Sequence, residues 1–373
     1  MIASRPTRAE IDLDALVHNY RLIRRQAGGG RSVLALVKAD AYGHGAVAVA
    51  KALEGEGVEM LGVALVEEGM ELRAAGIRAP ILVLGRVYPG HEEAFFTHSL
   101  TPCLFDLDCA RRLQAQAKVR DRTLAVHVKV DTGMARVGFS RDELADVLQS
   151  LATCDRLRIE GILSHLAVAD EPENPFTDEQ VRRFAEILET LRARGPLPRY
   201  VHLSNSAAIF SRELPACNLV RPGIALYGAP PSGHFTGLGL RPVMRLVTAV
   251  ALVREVPAGC GVSYGHRFVT ARPSRIATLP VGYADGYNRL LTNQGEVLVR
   301  GRRAPVAGTV CMDWTMIDVT DVPGVAVGDE VTLLGPGPGG CISADEWAQK
   351  VDSISYEVFC RIGPRVPRVY VHG

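Results

Sequence analysis

Apolar runs alternate with helical stretches over the first two thirds of the chain, and this alternation is the feature that most constrains the fold. Eight runs have the length of strands, and most are separated by stretches with helical periodicity, such as residues 178–188. Eight such units before residue 238 favour a closed (β/α)8 barrel of the TIM type over an open doubly wound sheet, which has a similar pattern. The runs end near Val37, Leu65, Leu84, Phe105, Val130, Leu163, Leu203 and Val220.

The pattern changes near residue 238, where helical periodicity fades and short β-rich runs begin. Residues 247–253 and 296–299 are examples, and turn signals such as Asp285-Gly286 separate the runs. We therefore predict two domains, an α/β barrel in residues 1–237 and a mostly-β domain in residues 238–373. At the start of the chain we predict a short strand in residues 6–12 and a helix that is capped by Asp14 and ends near Gln26.

Composition excludes several classes of function. A net charge of +1 gives no reason to expect a polyanionic partner such as nucleic acid. No apolar run approaches the roughly 20 residues of a membrane span, and the N-terminus has no apolar signal-peptide core. The eight cysteines form no Cys-x-x-Cys pair, which favours reduced thiols over a disulfide framework or a zinc site. We expect a cytoplasmic protein with no membrane partner.

A lysine stands directly after the first apolar run. Residues 33–37 lead into Lys38, which is followed by small residues, a tyrosine, and two glycines that flank a histidine. Lys38 is thus predicted at the carboxyl end of a barrel strand, where such folds place their chemistry. A partly desolvated lysine loses its charge and can form a Schiff base with a carbonyl group. Position alone leaves open an ordinary lysine with a solvated tip.

Other polar side chains are predicted at the ends of later barrel strands. Because these ends meet at one mouth of a barrel, they predict a functional site there. The loops after the last two strands often bind phosphate, and here they contain Ser206 and Gly223; a helix cap and a turn glycine are compatible alternatives. The polar residues are Lys129, Asp131, Arg136, His165, His202, Asn205, Ser206 and Arg221.

The segment Val37–Gly45 closely resembles the pyridoxal-phosphate attachment motif of the alanine racemase family. Similar segments follow in the family's order along nearly the whole chain, and the ordered series is far more specific than any one of them. The resemblance implies a pyridoxal-phosphate-dependent isomerase that interconverts L-alanine and D-alanine and supplies D-alanine for peptidoglycan. The other segments are residues 131–138, 205–208, 220–228, 262–265, 281–286, 311–313 and 356–358.

The resemblance also implies how the chemistry is divided. Lys38 would attach the cofactor and act as one base, and Tyr264 would act as the second base on the opposite face of the substrate Cα. Arg221 would donate to the pyridine nitrogen of the cofactor. Because arginine stays protonated, this nitrogen would remain unprotonated, which should suppress side reactions such as transamination.

Further residues take roles from the same resemblance. Arg136 and Met312 would contact the substrate, and Lys129 would be carbamylated or, alternatively, paired with a carboxylate such as Asp131. The family forms homodimers with shared active sites, in which the β domain of one chain faces the barrel of its partner and the N-terminal strand completes the β domain. No metal is implied. The remaining cofactor-binding residues are Tyr42, His165, Asn205, Ser206, Gly223, Ile224 and Tyr356, and the entrance residues are Tyr283, Cys311 and Asp313.

Three other functions compete with this one. A racemase with a broader range of amino acids fits the same residues. A barrel-type pyridoxal-phosphate decarboxylase fits less well, because the similar decarboxylases pair the ring nitrogen with an acid where this chain has Arg221. A cofactor-binding protein made of a single barrel does not account for the β domain that carries Tyr264.

Overall fold

Strands and helices alternate through the first two thirds of the computed structural model, which describes residues 5–372. The chain begins with β1 (Arg8–Asp12) and α1 (Leu13–Ala27), and eight parallel strands follow in the order β8-β7-β6-β5-β4-β3-β2-β9. A parallel bridge between Asn205 and Arg221 joins the two ends, so the predicted barrel is confirmed. Its strands are β2 (Ser32–Leu36), β3 (Met60–Val63), β4 (Ile81–Val83), β5 (Thr101–Leu104), β6 (Leu124–Lys129), β7 (Leu157–Leu163), β8 (Tyr200–His202) and β9 (Leu219–Val220).

Helices cover the outside of the barrel and bury one face each. In the helix after β7, Phe184, Ile187 and Leu188 face the core. The predicted cap of the first helix is wrong: Asp12, not Asp14, accepts a hydrogen bond from the backbone of Ala15. Within residues 5–372, no helix has the length and apolar character needed to cross a membrane. The helices are α2 (Lys38–Gly43), α3 (Ala46–Gly55), α4 (Val66–Ala74), α5 (Glu92–Thr97), α6 (Leu107–Val119), α7 (Leu144–Ala152), α8 (Phe176–Arg192) and α9 (Ser206–Ser211).

The C-terminal part of the chain is mostly β. Its largest sheet has the order β16-β15-β18-β10-β1-β20 with β19 added to β18, so the first strand of the chain pairs with β10 and β20. A three-stranded sheet, β11-β14-β17, and a β12-β13 hairpin complete it. The division at residues 237 and 238 stays a prediction. The elements are β10 (Met244–Ala249), β11 (Leu252–Val256), β12 (Gly261–Val262), β13 (Phe268–Val269), β14 (Ser274–Leu279), β15 (Glu296–Val299), β16 (Arg302–Pro305), β17 (Thr315–Asp318), β18 (Glu330–Gly337), β19 (Gly340–Ile342), α10 (Ala344–Lys350), α11 (Ser355–Cys360) and β20 (Arg368–Val371).

Candidate active site

Lys38 begins α2, and the backbone that follows it is left-handed. The four residues Ala39–Tyr42 have φ between +52° and +54°. Four L-residues in this conformation cost on the order of 4–8 kcal/mol, a cost that the surrounding structure must offset. Glu68 provides one of the contacts that hold the turn, because its Oε1 accepts from the amide of Ala39 at 2.6 Å. The turn fixes the direction in which the chain leaves β2 and thereby the position of the lysine.

The Lys38 side chain is half-buried at the barrel mouth. Burial lowers its pKa, and the guanidinium of Arg136 lowers this pKa further, while the carboxylate of Glu68 opposes the shift. A lower pKa increases the neutral fraction of the amine. A neutral amine is the form that attacks a carbonyl group and accepts a proton from carbon.

Arg221, at the end of β9, is 2% exposed, and its guanidinium donates to neutral acceptors. It donates to the carbonyl oxygens of Ser164 at 2.7 Å and Leu203 at 3.1 Å. It also donates to Nδ1 of His165 at 3.2 Å and Nδ1 of His202 at 3.3 Å. Burial lowers the pKa of Arg221 to about 10. A buried cation among uncharged acceptors favours the binding of an anionic or strongly accepting group next to it.

The hydrogen bonds of Arg221 determine the tautomers of the neighbouring imidazoles. Because a guanidinium only donates, Nδ1 of His165 and Nδ1 of His202 accept, and each neutral ring carries its proton on Nε2. His202 Nε2 therefore donates to Nδ1 of His127 at 2.9 Å. Burial, together with the charge of Arg221, lowers the pKa of His127 to about 3 and the pKa values of His165 and His202 well below the usual range. His165 thus keeps an Nε2–H as a hydrogen-bond donor.

The loops after β8 and β9 are tied together by a serine hydroxyl. Ser206 Oγ accepts from the backbone amide of Gly223 at 2.9 Å. The cap of α9 is Asn205 rather than Ser206, so the helix-cap alternative for the serine is wrong. A Cβ at position 223 would lie 2.4 Å from the hydroxyl oxygen of Tyr42, a separation that only glycine permits. The Gly223 backbone and the Tyr42 hydroxyl therefore converge on one small space.

Three tyrosines form an aromatic layer beside this space. The ring of Tyr42 stacks on Tyr227 at a centroid distance of 4.9 Å and lies 6.0 Å from the ring of Tyr356. Tyr227 is fixed because its hydroxyl donates to the carbonyl of Leu36 at 2.7 Å. Burial raises the pKa values of Tyr42 and Tyr356, so both phenols stay protonated and can donate to an anion. Ile224 is buried and begins the short 3-10 helix that ends at Tyr227.

Lys129 ends β6 inside the barrel and is 7% exposed. Burial lowers its pKa to about 8. The carboxylate of Asp131 is engaged elsewhere, because its Oδ1 accepts from the amides of Gly133 at 2.8 Å and Met134 at 2.9 Å. The charge of Arg136 lowers the pKa values of both Lys129 and Lys38, which places this exposed arginine near both amines. The mouth is therefore rich in positive charge.

The remaining predicted residues lie on the C-terminal domain. Tyr264 is 73% exposed, and with Cys311 it borders a groove of about 830 Å³ whose lining residues all belong to that domain. The amide of Tyr283 donates to the carbonyl of Cys311 at 3.0 Å, which holds the two predicted entrance segments together. Met312 is exposed, and Asp313 pairs with Arg365 at 2.7 Å. The predicted residues thus form two groups, one at the barrel mouth and one on an exposed face of the second domain.

Sequence reasoning gave no role to three residues that organise the barrel mouth. Glu68 holds the left-handed turn, Tyr227 supports Tyr42, and His127 extends the imidazole chain from Arg221. Signals existed for two of them: His127 shares a strand face with Lys129 in the alternating pattern of β6, and Tyr227 lies in the family-like segment 220–228. The contacts of Glu68 and Tyr227 join distant parts of the chain and leave no local pattern.

Comparisons with known proteins find matches along nearly the whole chain. The family model for the alanine racemase N-terminal domain matches residues 11–231, and the model for the C-terminal domain matches residues 243–370. An alanine racemase from Geobacter sulfurreducens is 51% identical over 99% of this chain and 98% of its own length. The structure of alanine racemase from D-cycloserine-producing Streptomyces lavendulae has a TM-score of 0.95 at 37% identity, covering 100% of this chain and 98% of that chain. An alanine racemase from Bartonella henselae with covalently bound pyridoxal phosphate has a TM-score of 0.89 at 31% identity, covering 98% of this chain and 99% of that chain.

Proposed function

We propose that this chain, which belongs to the alanine racemase family, uses pyridoxal phosphate and two bases to interconvert L-alanine and D-alanine. The observation that carries the proposal is the combination at one barrel mouth of a lysine with a lowered pKa and a buried arginine among neutral acceptors. The first group can attach an aldehyde, and the second can donate to a ring nitrogen without giving up its proton.

The barrel mouth fits pyridoxal phosphate in its charge and in its donors. The hydroxyl of Tyr42 and the backbone of Gly223 converge on a space suited to a phosphate, and Tyr356 stands beside it as a protonated phenol. Lys38 would attach the aldehyde carbon, and the positive charge of the mouth would offset the negative charge of the phosphate. When bound, the cofactor supplies an electron sink that makes the Cα–H bond of the amino acid acidic. We infer the same cofactor that the Bartonella henselae relative carries.

Attachment at Lys38 can be tested chemically. Borohydride reduction of the protein with added pyridoxal phosphate should fix the label on Lys38, because this amine has a lowered pKa at the barrel mouth. Peptide mapping by mass spectrometry locates the label. Lys38→Ala should abolish it, whereas Lys51→Ala, on the exposed outer surface of α3, should not change it. A label on any other lysine contradicts the assignment.

Arg221 would keep the pyridine nitrogen unprotonated. Its hydrogen-bond partners are neutral, so the guanidinium stays charged, and they also fix the direction of its N–H groups. Arg221→Glu should offer this nitrogen a shared proton and prolong the lifetime of the carbanion at Cα. We expect slower racemisation and a larger share of transamination, measured as pyruvate formed per alanine racemised. Arg221→Lys keeps the positive charge and serves as the matched control. An unchanged share of pyruvate in the glutamate variant would remove Arg221 from this role.

Two bases on opposite faces explain how a proton is removed from one face of Cα and delivered to the other. We assign Lys38 to the proton of D-alanine and Tyr264 to the proton of L-alanine. His165, whose Nε2–H is not used by Arg221, would donate to the phenolate that forms when Tyr264 loses its proton.

A homodimer would bring Tyr264 to a barrel mouth. Around Tyr264 the face of the second domain exposes Trp314 by 47%, Met312 by 52% and Leu252 by 39%, which is typical of a surface that another protein covers. A two-fold, head-to-tail arrangement would place this face over the barrel of a second copy and complete two equivalent sites. The entrance residues Tyr283, Cys311 and Asp313 would then narrow the access to the partner's mouth.

The substrate carboxylate would be bound by Arg136 and, across the entrance, by the segment of Met312. The neutral fraction of Lys129, raised by its lowered pKa, can react with carbon dioxide to form a carbamate and release a proton. The carbamate would replace a buried cation by an anion that pairs with Arg136. This would explain why Asp131 is not the partner of Lys129.

The range of substrates decides between the two racemase functions. Incubation with a panel of L-amino acids, with and without pyridoxal phosphate, followed by chiral product analysis should give D-alanine as the main product. Comparable amounts of D-serine, D-lysine or D-arginine would indicate the broader racemase. Arg221 itself argues against the decarboxylase, because the similar decarboxylases pair the ring nitrogen with an acid where this chain has an arginine.

A further inference from the structure

We infer that Thr309 is a positioning residue for Tyr264 and that it acts through two hydrogen bonds, one accepted from the hydroxyl of Ser263 and one donated to the carbonyl of Tyr264. The inference rests on the proposed role of Tyr264 as the second base. Ser263 precedes this tyrosine in the chain, and Thr309 lies in the segment that leads to the entrance residues.

The two hydrogen bonds run in opposite directions between the two segments. Ser263 Oγ donates to the carbonyl oxygen of Thr309 at 2.6 Å. Thr309 Oγ1 donates to the carbonyl oxygen of Tyr264 at 2.7 Å. Thr309 is 2% exposed, so water does not compete for its hydroxyl. The carbonyl of the tyrosine and the side chain of the residue before it are thus both bound to one buried threonine.

The backbone around Tyr264 requires such support. Ser263 has φ of +64° and ψ of −172°, a region that residues other than glycine adopt only when surrounding contacts enforce it. His266 also has a positive φ, of +45°. A Cβ on Gly308 would lie 2.5 Å from the carbonyl oxygen of Val262, which shows how closely the two segments approach. Strained backbone next to a proposed catalytic residue points to a constraint on where that residue stands.

The segment that holds the tyrosine is itself anchored from the other side. The amide of Gly308 donates to Asn293 Oδ1 at 2.7 Å, and the amide of Val310 donates to Thr292 Oγ1 at 3.1 Å. Thr309 therefore connects Tyr264 to a fixed loop. Because the phenol itself is largely exposed, its position over a second copy's barrel depends on this backbone clamp. A displacement of about 1 Å at a reacting group can cost on the order of 100-fold in rate.

Thr309→Val tests the clamp, because valine keeps the shape of threonine and removes the hydroxyl. We expect kcat to fall about 10- to 100-fold with little change in the KM for alanine. Thr309→Ser retains a hydroxyl and should remain close to wild type. In deuterium oxide, exchange of the Cα hydrogen of L-alanine should slow with kcat, whereas exchange from D-alanine, which depends on Lys38, should continue. Loss of both exchange rates to the same extent would overturn the inference.

A double variant separates positioning from a general effect on the fold. In a Tyr264→Phe background, Thr309→Val should cost less than about 2-fold, because Thr309 acts only through the missing phenol. A full additive loss would overturn the inference, as would wild-type kcat in Thr309→Val. If the valine variant does not fold, Ser263→Gly serves instead, because it removes the other hydroxyl and glycine fits the positive φ. Exchange from L-alanine alone should then slow by the same factor. Wild-type exchange in Ser263→Gly would equally overturn the inference. Tyr264→Phe without a selective loss for L-alanine would instead overturn the assignment of the base, and the inference with it.

Discussion

Inactive Lys38→Ala chains mixed with inactive Tyr264→Phe chains should recover about half of the wild-type activity per heterodimer. Tyr264→Phe alone should lose on the order of 100- to 10,000-fold, the usual contribution of a positioned acid–base group. Lys38→Ala removes the other base and the attachment point. In a shared-site dimer, one site of the heterodimer receives both substitutions and the other receives neither. The mixture should therefore be far more active than either inactive variant alone.

The geometry of the chain is the reason to expect this result. Lys38 lies at the barrel mouth, while Tyr264 lies on an exposed face of the second domain and borders a groove that this domain alone lines. A base that is 73% exposed in its own chain is poorly placed for proton transfer in a site that excludes water. Contact with the barrel of a second copy would give Tyr264 such a surrounding.

A control with two substitutions in the same barrel makes the test specific. Lys38→Ala mixed with Arg221→Ala damages the barrel mouth of both chains, so no heterodimer contains an intact site and no activity should return. Differently tagged chains show by native mass spectrometry that the subunits have exchanged. Confirmed exchange without recovery in the Lys38→Ala and Tyr264→Phe mixture would mean that both residues act within one chain.

The barrel could be predicted from the sequence because its strands are buried on both sides. Such strands appear as continuous apolar runs, and the predicted ends at Val37, Leu163 and Val220 lie within one residue of the strand ends in the structure. The position of Lys38 at the mouth followed from its place after the first run. The family motifs then supplied roles that no periodicity could supply, above all for Tyr264, which is an ordinary tyrosine in its local sequence.

Contacts between distant residues could not be predicted. The left-handed turn after Lys38 depends on Glu68, and the link between the last two barrel loops depends on Ser206 and Gly223. The predicted cap of α1 lies two residues too late in the chain, because Asp12 and Asp14 both fit the local pattern and only the bond to Ala15 distinguishes them. In each case the local sequence permits several conformations, and tertiary contacts select one.

Buried neutral histidines should make the cofactor-free protein lose stability steeply below pH 6.5. His44, His127 and His202 are all 0% exposed. Burial lowers the pKa values of His44 and His127 to about 3 and that of His202 well below its usual value. In the unfolded chain the pKa of histidine is about 6.5. Between these pKa values the unfolded state binds more protons than the folded state, so stability falls as the pH falls.

The expected size of the effect follows from the number of protons. Each proton contributes about 1.4 kcal/mol per pH unit, and His165, whose pKa burial and Arg221 also lower well below the usual range, adds a fourth, so the slope approaches about 5.5 kcal/mol per pH unit below pH 6. Most carboxylates titrate below about pH 5, so the change in unfolding free energy between pH 5 and 6.5 comes mainly from the histidines. Urea unfolding followed by circular dichroism at several pH values in this interval measures the slope. A flat dependence would mean that these imidazoles are protonated or exposed in the folded protein.

A single substitution should remove about one quarter of this slope. The Nδ1–H of His44 donates to the carbonyls of Ala41 and Tyr42 at 3.0 and 2.9 Å, and glutamine can donate there without titrating. His44→Gln should therefore reduce the slope by about 1.4 kcal/mol per pH unit, whereas His234→Gln, on the surface, should leave it unchanged.

The same histidine should couple pH to cofactor binding. Because His44 binds the carbonyls of the left-handed turn after Lys38, its protonation should disturb the segment that positions the lysine before the rest of the fold. Loss of cofactor binding should then precede global unfolding as the pH falls, and cofactor retention down to the unfolding transition would contradict this order.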